Sequence, residues 1–165
     1  MKKILMIVAL IATTQITFAQ NKAKVALNDV LSAYYDVKNA LATDKNEEAA
    51  EKIKVFQAKV DAVPHETLPS AQHTLWMEQS KIMKSKAKEI AASTDIKSQR
   101  KSFEGISYAM IKTLKATKFN QGTVYVQHCP MAKASWLNEK ENVENPYYGS
   151  MMFDCGEVAE TIKGK

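Results

Sequence analysis

Apolar residues keep helical time from Lys24 to Lys118 and lose it afterwards. In the first segment Leu27, Val30, Leu31, Tyr34, Val37 and Leu41 recur at three- and four-residue steps, the spacing that lines one face of a helix. Ala49, Ile53, Phe56, Val60 and Val63 repeat the pattern in a second segment. Asp44, three residues before Glu47, predicts a capping box at its start, and Pro64 ends it. His65 to Pro69 reads as a connection. A third helix is predicted from about Ser70 to Ala92, burying Leu75, Trp76, Ile82, Met83 and Ile90. Asp95 opens a fourth, with Ile96, Phe103, Ile106, Met110 and Leu114 on its inner stripe. Four such helices with short polar connections predict a mainly α fold, an up-and-down four-helix bundle. Met83 and Met110 read as core filler. His73 and Met77, one turn apart, read as a surface histidine beside a packed methionine rather than as a ligand pair.

Beyond Lys118 the pattern changes. Asn120-Gln121-Gly122 signals a turn, and Thr123 to Gln127 alternates as a short strand. Pro130, Asn145-Pro146 and Gly149 then break the chain, with Trp136, Tyr147 and Tyr148 between them. Residues 120–165 cannot build a core alone. They are expected to fold back on the bundle as a short irregular or β cap, fixed there by the two cysteines.

The first residues change the picture of compartment. Lys2 and Lys3 precede an apolar run from Ile4 to Ala12, and Thr17-Phe18-Ala19 offers small residues for cleavage. Residues 1–19 therefore read as a secretory signal peptide, leaving residues 20–165 as one domain in an exported, periplasmic protein. No cysteine follows the apolar run to take a lipid. No second stretch approaches membrane-spanning length, so stable membrane insertion is not expected. Loss of Lys2 and Lys3 lowers the formal charge from +5 to +3. The basic groups are scattered lysines with Arg100 the only arginine, a poor match to phosphates or guanine edges, which excludes a nucleic-acid binder.

The chemistry concentrates in QHCPMA (127–132) and MMFDC (151–155), which hold both cysteines and three of the eight methionines. Two readings stand. An even pair of cysteines in an exported chain is ordinarily a disulfide, and a Cys129–Cys155 bridge would contribute roughly 3 kcal/mol by restricting the unfolded chain. Alternatively, thiolate, thioether and imidazole together make the ligand set that monovalent copper favours. Cys129 and Met131 are two apart and share a side in extended chain, whereas Met152 or Met151 can share one side of a helical turn with Cys155. His128 neighbours Cys129, so in a strand it points to the opposite face unless the backbone bends before Pro130. The same geometry disfavours a Cys–His dyad, no orienting third group stands out, and C-x-x-C is absent, so no enzyme activity is expected.

VYVQHCPMA…WL…NPYYGSMMFDCGEV, with DIKSQRKSFEGIS before it, resembles domain-of-unknown-function family 3347. Its members are small exported bacterial proteins and domains fused to periplasmic adaptors of copper and silver efflux pumps. The resemblance extends over nearly all of residues 20–165, including the Tyr-x-x-Val-Lys-x-Ala-Leu run at 34 to 41. By position, Cys129 and Met131 match the first half of the family's tail motif and Met152 and Cys155 the second. Met151 falls at a variable position. Gln99, Arg100 and Phe103 match the helical signature, with Arg100 a possible brace for the tail. Cys-Pro-Met also echoes metal-binding modules attached to copper pumps, which continue into His-Pro where this chain has Ala132.

The resemblance implies a helical module of heavy-metal handling. The expectation is a Cu(I)/Ag(I) site on Cys129, Met131, Met152 and Cys155 with His128 as an optional ligand, buffering copper or delivering it to an efflux adaptor. The alternative is a disulfide-stapled interaction module without metal, contacting a partner through Trp136, Tyr147 and Tyr148.

Overall fold

The computed structural model describes the backbone of residues 2–164 and the side chains of residues 21–164. The expected leader, residues 1–19, lies outside the described side chains. Four α-helices come first: α1 (Lys2–Ala42), α2 (Asn46–Asp61), α3 (Ser70–Ala92) and α4 (Ile96–Thr117). Three strands follow, β1 (Val124–Cys129), β2 (Ala134–Asn138) and β3 (Glu157–Ile162). The fold is mainly helical with a small antiparallel sheet at the C-terminus, in the order β2-β1-β3.

The helices form where the apolar period placed them. Leu27, Val30, Tyr34, Val37 and Leu41 of α1 enter one core with Ile53 and Phe56 of α2 and with Met83 and Ile90 of α3. Phe103, Ile106, Met110 and Leu114 of α4 complete it. Helix α1 packs on α2, α2 on α3 and α3 on α4, while β2 lies against α4. Ile82 departs from expectation and is 39% exposed. The buried positions of α3 run through Trp76, Gln79, Ser80, Met83, Ala87 and Ile90, and Ile82 lies off that stripe. Met77 is likewise at the surface, and His73 is half-buried.

Asp95 caps α4 as its sequence suggested, accepting from the Ser98 amide at 2.9 Å. The capping box at Asp44 does not form. The N-cap of α2 is Lys45 and makes no side-chain cap bond, and Asp44 sits at φ +60° with its carboxylate turned to the tail.

The cap is more regular than its turn-rich sequence implied. Strand β1 runs on to Cys129, and β2 and β3 pair on either side of it, with Val126 opposite Leu137 and Glu160. An irregularity falls between Val126 and Gln127 in the β1–β3 pairing. Val124, Val126 and Leu137 point into the helical core, and the Leu137 amide donates to the Tyr34 hydroxyl at 3.1 Å. Among the described residues no helix is long and apolar enough to cross a membrane.

Candidate functional site

Two chain segments bring the cysteines together. Cys129 ends β1 with no exposed surface, and the chain then turns through Pro130–Lys133, where Lys133 takes φ +52° and donates to the Pro130 carbonyl at 3.3 Å. That turn aims the Ala132 amide at the Cys129 sulfur, at 3.4 Å. Cys155 arrives from the other side, its amide bound to the Met152 carbonyl at 3.1 Å. The two Sγ atoms stand 3.3 Å apart as free thiols, against about 2.0 Å in a disulfide. The next residue must be glycine. At φ +144° Gly156 passes so near β1 that a Cβ there would lie 2.8 Å from the His128 carbonyl and 3.1 Å from the Trp136 ring.

The surroundings divide the two thiols electrostatically. Burial pushes the Cys129 thiol up, but the Ala132 amide, Cys155, the Met131 amide and the Asn145 side chain all hydrogen-bond its anion and bring it below the ordinary thiol value. Cys155 is pushed up, first because its S–H donates to Cys129, then by burial and by the charges of Cys129 and Asp154. Of the two, the buried sulfur is the one whose anion its neighbours favour.

Asn145 is the organiser that sequence patterning missed. It is fully buried, and its amide group donates to the Cys155 carbonyl at 2.8 Å while its side-chain oxygen accepts from Tyr147 and Tyr148 amides. Its backbone amide donates to the Phe153 carbonyl at 2.7 Å. Gln127, also buried, gathers the 140–142 loop through three carbonyls. Asn-Pro was legible as a turn, but nothing local reveals which strand the turn will serve.

Two cations tie this assembly to the helices. Lys38 of α1 is completely buried and donates to Asn138 Oδ1 at 2.6 Å and Glu144 Oε2 at 2.9 Å, with Glu139 Oε2 3.3 Å away. Arg100 of α4 donates to the Pro146 carbonyl at 2.9 Å, the Leu41 carbonyl at 2.7 Å and Asp44 Oδ1 at 2.6 Å. Asp44 also accepts from Ser150, whose hydrogen bonds, ahead of those from Arg100, hold its carboxyl down at about 2. Gly149 passes this clasp at φ +58°, where a Cβ would collide with both Arg100 Nη2 and Asp44 Oδ1.

The other residues singled out from sequence scatter around the thiols. Met131 and Met151 stand at the surface, 63% and 81% exposed, and Met152 is half-buried in the turn before Cys155. His128 alternates with Cys129 along β1, and its Nδ1 is engaged with Ser135 Oγ at 3.0 Å on β2. Trp136 is fully buried, which corrects its assignment as a partner contact: its indole packs edge-on against Tyr147 at 5.8 Å. The hydroxyls of Tyr147 and Tyr148 donate to the Ser135 and Met131 carbonyls. Among the described residues no group of three or more His, Cys, Asp or Glu side chains gathers to hold an ion. An ion on the thiol pair would therefore complete its shell from thioethers, backbone or water, and of these donors only the sulfurs suit a soft ion.

No curated protein and no solved structure matches the chain. A family model described as "Protein of unknown function (DUF3347)" matches residues 30–122. The match takes in Lys38, Asp44 and Arg100, the helical side of the cap's fastenings, and stops before β1 and both cysteines. With more than half of its length matched, the chain belongs to the DUF3347 family.

Proposed function

We propose that this chain is an exported periplasmic protein that binds a soft monovalent ion, copper(I) or silver(I). Cys129 and Cys155 supply thiolates, Met131 and Met152 thioethers, and His128 an optional further donor. The ion is cargo, buffered here or passed to the periplasmic adaptor of an efflux pump, and no turnover is involved. One observation carries the reading: two free thiols 3.3 Å apart, the buried one stabilised as an anion by backbone amides. Thiolates and thioethers are the donors such ions select. The leader-like residues 1–19 support export. The order in which the helices touch, α1 on α2, α2 on α3 and α3 on α4, supports an up-and-down bundle beneath the cap.

The same proximity favours a second reading, a Cys129–Cys155 disulfide that staples an interaction module and leaves no sulfur for an ion. In that state the partner surface is the open groove of about 530 Å³ lined by Tyr147, Tyr148, Met151 and Lys101, without Trp136.

Titration of the reduced chain with Cu(I) against a competing chelator separates the readings. Stoichiometric binding is expected, abolished in Cys129→Ser and weakened in Met131→Leu/Met152→Leu. Because the Cys155 proton must leave, affinity should rise with pH through the thiol range. No binding by reduced wild type would overturn the metal reading. The stapled module predicts instead that Cys129→Ser/Cys155→Ser lowers Tm equally with and without copper.

A further inference from the structure

A pair of facing imidazoles lies at the connection between α2 and α3, outside the thiol site. Residues His65–Thr67 form a single 3-10 turn, bracketed by Pro64 and Pro69, and His73 occupies the first turn of α3. Backbone bonds fix both turns: Leu68 donates to the His65 carbonyl at 3.1 Å, and His73 to the Pro69 carbonyl at 2.8 Å. The imidazoles face each other across these turns, His65 Nδ1 3.3 Å from His73 Nε2, with ring centroids 5.2 Å apart and planes tilted 49°. The other nitrogen of His65 is 3.3 Å from the Glu66 carboxylate.

We infer that His65 and His73 form a binding site for a borderline divalent cation, of the zinc(II) or copper(II) class, with Glu66 as the carboxylate that orients His65. Two imidazole nitrogens bound at about 2.05 Å to a tetrahedral ion stand about 3.3 Å apart, which is the separation found. As an N–H···N hydrogen bond the same distance is long. A ligating histidine characteristically donates its second N–H to a carboxylate, which fixes the tautomer, and Glu66 is placed to accept it from His65 Nε2. The His65 side chain is 31% exposed and His73 is half-buried, so an ion reaches the pair from solvent and completes its shell with water. Imidazole suits zinc, copper and nickel, whereas thiolate with thioether suits monovalent copper, although thiolates alone also take zinc. The site is independent of the proposal made for the cysteines.

The test follows the imidazole nitrogens by NMR while zinc(II) is added to the purified chain, whose three histidines make each ring assignable. Saturable shifts at His65 and His73 with His128 unmoved are expected. In calorimetry on the Cys129→Ser/Cys155→Ser chain, Glu66→Gln should weaken binding about tenfold. His65→Gln or His73→Gln should weaken it further, and copper(II) should show coupling to two imidazole nitrogens that either substitution reduces to one. No shift at His65 and His73, or equal shifts at all three rings, would overturn the site. Should the serine variant not fold, the ring shifts of the wild-type chain decide alone.

Discussion

The helical bundle and the cap are held by different physics. Phe56, Ile53, Met83 and Ile90 sit in the bundle with at most 1% of their surface exposed, in a core built from many interchangeable apolar contacts. The cap contributes Val124, Val126 and Leu137 to that core, but its position is set by a few polar fastenings, Lys38, the Asp44–Arg100 clasp and the Tyr34–Leu137 bond, while Asn145 orders it from within. Apolar burial is non-directional and tolerates substitution, whereas a buried charge is stable only while every partner is present. The thiol site lies wholly on the side that depends on directional bonds. Its geometry should therefore be lost before the bundle is.

The largest effect expected is on the bundle itself. Phe56→Ala removes a fully buried ring and should lower global stability by about 4 kcal/mol, read from urea unfolding followed by helical circular dichroism. Lys38→Met comes next, at about 3 kcal/mol, because it leaves Asn138, Glu139 and Glu144 facing an apolar end. The informative readout is where that loss falls. Hydrogen exchange should quicken in β1, β2 and β3 more than in α2 and α3. Uniform acceleration would mean that the two regions open as one unit and that the contrast drawn above is wrong.

The smallest effect is a pH dependence. Asp44 titrates at about 2 in the folded chain against 3.8 ordinarily, so folding holds it ionised. A depressed carboxyl contributes stability that is complete above about pH 4 and is lost as pH falls toward 2. Asp44 is 37% exposed at its side chain, so solvent screening keeps the contribution modest. Asp44→Asn should flatten this part of the acid-unfolding curve, and an unchanged slope would remove the clasp from the list of fastenings.

Legibility in the sequence follows the same division. A helix repeats its burial every three or four residues, so the stripes from Leu27 to Leu114 could be read without knowing their neighbours, and α3 ends where its pattern ends. Strand β3 carries no such signature: Glu157, Ala159, Glu160 and Thr161 are exposed, and the segment is a strand because β1 offers it a ladder. Asp44 shows how local chemistry can mislead. Its spacing to Glu47 fits a cap, yet a guanidinium and an amide from distant segments take the carboxylate instead. Met131, His128 and Trp136 share one motif-rich stretch and end up exposed, bound to Ser135 and fully buried, respectively.

The chain's own order of residues thus determined the four helices, their inner faces and the pairing of soft donors in two short motifs, because periodicity and donor type are local properties. Only the tertiary structure decided that Cys129 and Cys155 meet as free thiols 3.3 Å apart, that Lys38 is swallowed whole, and that His65 turns to His73. Each of those facts depends on where a turn delivers a side chain, and that is set by bonds between residues far apart in the sequence.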